Sequence, residues 1–129
     1  MTATEEFILD WMKKAEHDLK AAKILLSSGE EIYDSVCFHS QQLAEKALKA
    51  LFTARTIEFP KTHNLLLLSN LLLDADILKL NEDLENLTNY AVESRYPGDY
   101  VEPGLEDAQE ALDAATKLYD LVKQKLGLL

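Results

Sequence analysis

Cysteine, glycine, proline and aromatic side chains are all scarce in this 129-residue chain, and each shortage closes off a class of structure. Cys37 is the only cysteine, so neither an intrachain disulfide nor a multi-cysteine zinc site can form, and the usage suits a reducing compartment. Four Gly and three Pro leave no room for collagen-like or low-complexity segments. β-branched aliphatics are few: Val and Ile total 9, against 25 Leu and 14 Ala. Leu and Ala favour helices over strands, so the balance disfavours a β-rich fold. Long apolar runs are missing too. Leu65 to Leu68 and Leu71 to Leu73 are separated by Ser69 and Asn70, far short of a bilayer span. The first ten residues carry Glu5, Glu6 and Asp10 and lack the basic-then-apolar pattern of a signal peptide. The expectation is a soluble cytoplasmic protein, with one domain over residues 1–129.

Positive charge is also in short supply. Lys and Arg number 13 against 23 Asp and Glu, a formal charge of −10. Residues 1–63 hold 8 basic and 10 acidic side chains, whereas residues 64–129 hold 5 and 13. Such an anion is a poor sequence-independent binder of nucleic acid. A contact with RNA or a nucleotide would need a local patch drawn from Lys13, Lys14, Lys20 and Lys23, or from Lys46, Lys49, Arg55 and Lys61. A solvated helix face is the plainer reading of those lysines.

What is present is helical periodicity. Ile8, Trp11, Ala15, Leu19, Ala22 and Leu26 fall three and four apart, predicting a one-sided helix from Glu5 to Ser27 that stops at Gly29. Asp10 with Lys14, and Glu16 with Lys20, sit at i, i+4. A second helix is expected from Glu31 to Arg55. Val36, Ser40, Leu43, Ala47 and Leu51 share one face, with Phe38 and Phe52 on the other side. Apolar on two sides, it belongs at a bundle centre or a subunit interface. Thr62 reads as the cap of a short Leu-rich helix from Asn64 to Leu73. A fourth helix is expected from Ile77 to Ser94, and a fifth from Leu105 to Leu126, opened by Pro103 and closed near Lys123 and Lys125. The fold class is all-α, a single up-and-down bundle of about five helices.

Two features break the pattern. Asp18 lies on the apolar stripe of the first helix, where a carboxylate is costly without a cation or several donors. It reads as a buried ion pair or loop cap, or as a polar residue lining a cleft, with Arg95 the partner to propose. His39, Gln42 and Lys46 form a row along one side of the second helix. That row could hold an anion, be an exposed strip, or form a polar seam. The seam is favoured, because buried His and Gln usually find backbone partners. His63, next to Thr62, suggests a local role at a helix N-terminus. There is no Gly-rich phosphate loop, no metal spacing and no nucleophile elbow, and no cofactor is expected.

The block Cys37-Phe38-His39-Ser40-Gln41-Gln42-Leu43-Ala44-Glu45-Lys46-Ala47-Leu48-Lys49-Ala50-Leu51 resembles the signature helix of HEPN-domain proteins. Trp11 with Ala15 and Asp18, Lys61-Thr62-His63-Asn64-Leu65 and Ser94-Arg95-Tyr96-Pro97 extend the resemblance over nearly the whole chain, in the family's order. The resemblance implies a small bundle that dimerises along its helices and leaves a cleft near the interface. It also implies a separate minimal nucleotidyltransferase as partner, frequently in a toxin–antitoxin pair, with nucleotide binding in some members and metal-independent ribonuclease activity in many. The ribonucleases carry Arg, four to six residues, then His, in which Arg stabilises phosphate charge and His moves a proton. After Arg95 the positions for that His hold Tyr100, Val101 and Glu102. Without the acid–base group a rate falls by roughly 10² to 10⁴, so the expectation leans away from an enzyme. The first expectation is therefore a homodimeric binding module, with Arg95, Lys46, His39, Gln42, Asp18 and Tyr96 around a nucleotide or other phosphate. A divergent ribonuclease toxin using Arg95 with His39, His63 or a histidine from the other subunit, and a ligand-free assembly module, are the alternatives.

Overall fold

Thr2 opens the first helix by accepting a hydrogen bond from the Glu5 N–H at 3.1 Å, which satisfies a donor that the first turn leaves unpaired. A computed structural model describes residues 1–91, 96, 98 and 101–128. Its helices are α1 (Ala3–Ser27), α2 (Tyr33–Ala54), α3 (Leu65–Leu72), α4 (Ala75–Leu78), α5 (Asn81–Thr88) and α6 (Leu105–Leu126). The described residues contain no strand, as the Leu and Ala excess predicts. Among them, no helix is long and apolar enough to cross a membrane.

The three long helices carry the architecture. α2 is the central one, packed against α1 on one side and α6 on the other, and 12 of its 22 residues are buried. Its two apolar sides therefore serve an interior position. Phe52 is fully buried and its ring meets that of Phe59 at 5.5 Å between centroids. α1 contributes Met12, Ala15 and Ala22, and α6 contributes Ala108, Ala111, Leu112, Ala115, Leu118, Tyr119 and Val122. The alanines among them let helix axes approach closely. The bounds of α6 are those expected. Asp107 reaches back to the Gly104 N–H at 2.9 Å, and Gly127 ends the helix in the left-handed region at φ 73°.

The region of residues 62–91 departs from expectation. Asn64, rather than Thr62, caps α3 by accepting from the Leu67 N–H; the Thr62 hydroxyl accepts from the Asn64 N–H instead. The single fourth helix is two, which brings the helices among the described residues to six. Asn81 explains the break. Its amide oxygen accepts from the Ser69 hydroxyl and its amide nitrogen donates to Asn70, so the start of α5 is fastened to α3 and cannot continue the axis of α4. Thr88 completes the tie, accepting from the Leu65 N–H at 3.1 Å. Helix α5 ends at Thr88; residues 92–94, the last three of the expected fourth helix, lie outside the described residues.

Asp74 holds one pole of the bundle together. It caps α4 by accepting from Asp76 and Ile77, and its other oxygen meets Arg55 at 2.8 Å and Lys125 at 3.2 Å. Lys125 also reaches Asp76 at 2.7 Å. One carboxylate thus joins the end of α2, the start of α4 and the end of α6. Burial alone would push its carboxyl up, but hydrogen bonds from Arg55, the Ile77 N–H and Lys125 hold it at about 2. A carboxyl depressed in the fold stabilises above its unfolded value, 3.8, and loses that contribution as pH falls toward 2. Asp74→Asn, which retains the cap acceptor, is expected to lower stability at pH 7 by about 1–3 kcal/mol. It should also flatten the fall in stability between pH 4 and pH 2, as read by urea melts across that range.

Candidate anion site at the α1–α2 seam

Helices α1 and α2 form an antiparallel pair, and Asp18 is the polar residue α1 turns toward its partner. The side chain is 7 % exposed. Its Oδ1 meets His39 Nδ1 at 2.8 Å and its Oδ2 meets Lys46 Nζ at 2.5 Å. His39 and Lys46 are seven residues apart, two turns of one helix side, so a single carboxylate spans both. The desolvated anion is thereby compensated by a cation and a ring donor, as a buried carboxylate requires. The cation and the ring are not sealed in: the His39 and Lys46 side chains are 26 % and 22 % exposed.

A second buried carboxylate lies beside the first. Glu45, 4 % exposed, accepts from His63 at 2.7 Å, Lys49 at 3.0 Å and Gln41 at 3.2 Å. Burial raises its carboxyl, yet these three donors hold it below the usual range. Gln41 also donates to the His63 carbonyl at 2.9 Å, and Gln42 donates to the Gln41 oxygen at 2.7 Å. The two clusters are thus neighbours along α2, with Gln42 attached to the Glu45 side. Lys49 continues outward to aromatic rings, with its Nζ 5.7 Å from the centroids of both Trp11 and Phe59.

Chemically the seam offers paired donors and two oriented imidazoles. Each ring gives Nδ1 to a carboxylate, which fixes the tautomer and leaves Nε2 to accept a proton or, as imidazolium, to donate. Among the described residues no buried side-chain nitrogen or oxygen lacks a partner. None of their His, Cys, Asp and Glu residues gather in a group of three or more that could hold a metal ion.

The HEPN domain model matches residues 8–125, a span that contains the entire seam. The chain belongs to the HEPN family. A relative from Methanocaldococcus jannaschii, named "Putative toxin MJ1304", is 32 % identical over 138 residues, covering 92 % of this chain and 90 % of that one. Two solved structures are also similar at 32 % identity. TT1696 from Thermus thermophilus superposes with a TM-score of 0.75, covering 92 % of this chain and 97 % of its own. ST0689, an archaeal HEPN homologue, does so at 0.73, covering 97 % and 98 %.

Within this HEPN bundle the expected site residues separate into three groups. Asp18, His39 and Lys46 come together directly, so the carboxylate on the apolar stripe is a buried ion pair. Gln42 joins through Gln41. Arg95, proposed to meet Asp18, lies outside the described residues; Tyr96 is described and stands 79 % exposed. His63 does not serve the neighbouring helix end: its ring reaches α2, 18 residues back, at Glu45. Glu45, Gln41 and Lys49 are not among the expected site residues. Their signal is a polar i, i+4, i+8 row on a helix otherwise apolar on both sides. Lys14 sits with its ammonium 6.0 Å from the Trp11 ring centroid rather than on Asp10, while Glu16–Lys20 forms at 3.0 Å.

Neutralising either member of the Asp18–Lys46 pair strands a partly buried charge. Asp18→Asn and Lys46→Met are each expected to destabilise by about 1–3 kcal/mol. Together they should cost less than the sum of the two, with a coupling of at least about 1 kcal/mol in a double-mutant cycle by urea denaturation. Strict additivity would show that the contact carries no energy.

Proposed function

We propose that this HEPN protein is a homodimeric binding module that grips the phosphate of a nucleotide or RNA at the α1–α2 seam. It works beside a separate nucleotidyltransferase as one half of a toxin–antitoxin-type pair. The observation that carries the binding part is the Asp18 fork: one buried carboxylate holds a partly exposed ammonium, a charged donor for a phosphate, and an imidazole whose Nε2 donates only when the ring carries its second proton. Family membership and the relative named as a toxin support the toxin–antitoxin class, and the family resemblance supplies the nucleotidyltransferase. Leu67, Leu71 and Leu73, from 42 % to 75 % exposed, supply apolar surface of the kind self-association covers. Arg95 is the further residue we assign to the phosphate on the family resemblance, and Tyr96 stands next to it in the chain.

Lys46→Ala should weaken nucleotide binding about 10- to 100-fold in calorimetry, the loss expected for one charged hydrogen bond. Arg95→Ala should abolish binding and move the melting temperature by less than about 2 °C. A large drop in melting temperature with binding retained would make Arg95 structural and sink the phosphate reading. Light scattering at micromolar concentration should give a dimer mass.

The carboxylate–imidazole pairs favour a second reading, a divergent metal-independent ribonuclease. A histidine held by a buried carboxylate at Nδ1 presents Nε2 in the geometry of a general base. His39 or His63 would then stand in for the histidine missing after Arg95. Purified protein incubated with structured RNA and EDTA should leave the RNA intact under the first reading. Cleavage that disappears in both Arg95→Ala and His39→Ala would establish the second.

A further inference from the structure

One turn of α2 beyond the Asp18 fork, the seam changes from polar to aromatic. Trp11 precedes Asp18 by seven residues on the same side of α1, about 10 Å along the axis. Its ring packs edge-on against Phe59, with centroids 6.3 Å apart at 70°, and Phe59 rests on the buried Phe52. The indole is therefore rigidly backed. Beside it opens a cleft of about 200 Å³ lined by Phe7, Asp10, Trp11 and Lys14. Every lining residue belongs to α1, while Lys49 approaches the ring from the α2 side. Phe7 is 62 % exposed, one turn before Trp11, so two aromatic rings flank the opening.

Resting on the phosphate-binding reading above, we propose that this cleft is the base-binding subsite for the same ligand. A nucleobase stacks on Trp11 beside Phe7 while its phosphate lies at Lys46 and His39. Three observations point to a base rather than a second phosphate. Two of the four lining residues, Phe7 and Trp11, are aromatic, which suits the π-face of any base. Lys14, with its ammonium 6.0 Å from the ring, adds the cation that such stacks recruit. Asp10 would repel a phosphate but can accept from the exocyclic amine of a base. The separation of about 10 Å between the two levels is one that an extended mono- or dinucleotide covers. The ligand class is thus a nucleoside 5′-phosphate unit, free or within single-stranded RNA.

Trp11 is the only tryptophan in the chain, so its fluorescence reports this site alone. AMP should quench it and bind about 5- to 100-fold more tightly than ribose 5-phosphate, the gain expected from one stacked base. Ribose 5-phosphate should bind without quenching. Trp11→Leu should bring AMP down to the affinity of ribose 5-phosphate, and Trp11→Phe should keep most of the difference. Should the leucine variant not fold, quenching in the native protein together with the phenylalanine variant decides the matter. An oligoadenylate RNA tighter than AMP assigns the base to RNA, and the reverse assigns it to a free nucleotide. Equal affinity for AMP and ribose 5-phosphate, or a difference that survives Trp11→Leu, overturns the base subsite while leaving the phosphate reading intact. Failure of both ligands to bind removes the phosphate reading itself. A dimer that becomes monomeric in Trp11→Leu, with no effect of the base in the native protein, makes the cleft a subunit interface and overturns the proposal.

Discussion

A carboxylate placed on the apolar face of α1 is the constraint from which the rest of the seam follows. Taking Asp18 out of water is unfavourable by several kcal/mol unless a cation and further donors meet it. Its neighbours along that face, Ala15 and Ala22, are fully buried, so no water layer remains to compensate it. The partner helix must therefore present positive and hydrogen-bonding groups at that level and no other. Lys46 and His39 do so. Sliding α1 by one turn would set Ala15 or Ala22 opposite them and leave three polar groups uncompensated. The same contact that makes the seam polar thus fixes the register of the helix hairpin.

The polar arc is tolerable because α2 obtains its stability elsewhere. Val36, Leu43, Leu48, Leu51 and Phe52 are all buried on its remaining sides, and each large side chain removed from water contributes roughly 1.5–3 kcal/mol. Replacing a buried ion pair by apolar residues of similar size is often neutral or favourable. Asp18, Glu45 and their donors are accordingly a weak source of stability and a strong source of specificity. They also leave partly exposed donors at the surface, which an apolar seam would not.

The helices were legible in the sequence where periodicity is long and the caps are local. α1, α2 and α6 span six or more turns, and their periodic faces, the Gly29 stop of α1 and the Pro103 opening of α6 all act within a few residues. The region around α4 and α5 was not legible in the same way. Its pattern of Ile77, Leu80, Leu84 and Leu87 suits one helix, yet Ser69 and Asn70 reach across the fold to interrupt it at Asn81. For the same reason the sequence could place Asp18, His39, Gln42 and Lys46 on the right faces but not say which touched. Asp18 and Lys46 are 28 residues apart, and nothing in either segment specifies the other. Glu45 was hidden more deeply still. In a helix read as apolar on two sides, a glutamate flanked by Lys46 and Lys49 resembles a solvated surface position until the fold returns His63 to it.

Net charge limits what such a seam can hold. The whole chain carries −10, and the acidic excess falls mainly after residue 63, so a long polyanion approaching the bundle meets repulsion from most of its surface. Non-specific nucleic-acid binding draws its energy from releasing many counterions, and that source is closed here. Affinity has to come from a few directed contacts in a cation-bearing strip, where Lys46 and Lys49 are each tethered to a carboxylate and lose little freedom on binding. A tethered ammonium is a weaker electrostatic lure than a free one but a better-positioned donor. On the proposed phosphate reading, the seam therefore suits one or two phosphates presented in fixed geometry, with shape rather than net charge as the means of discrimination.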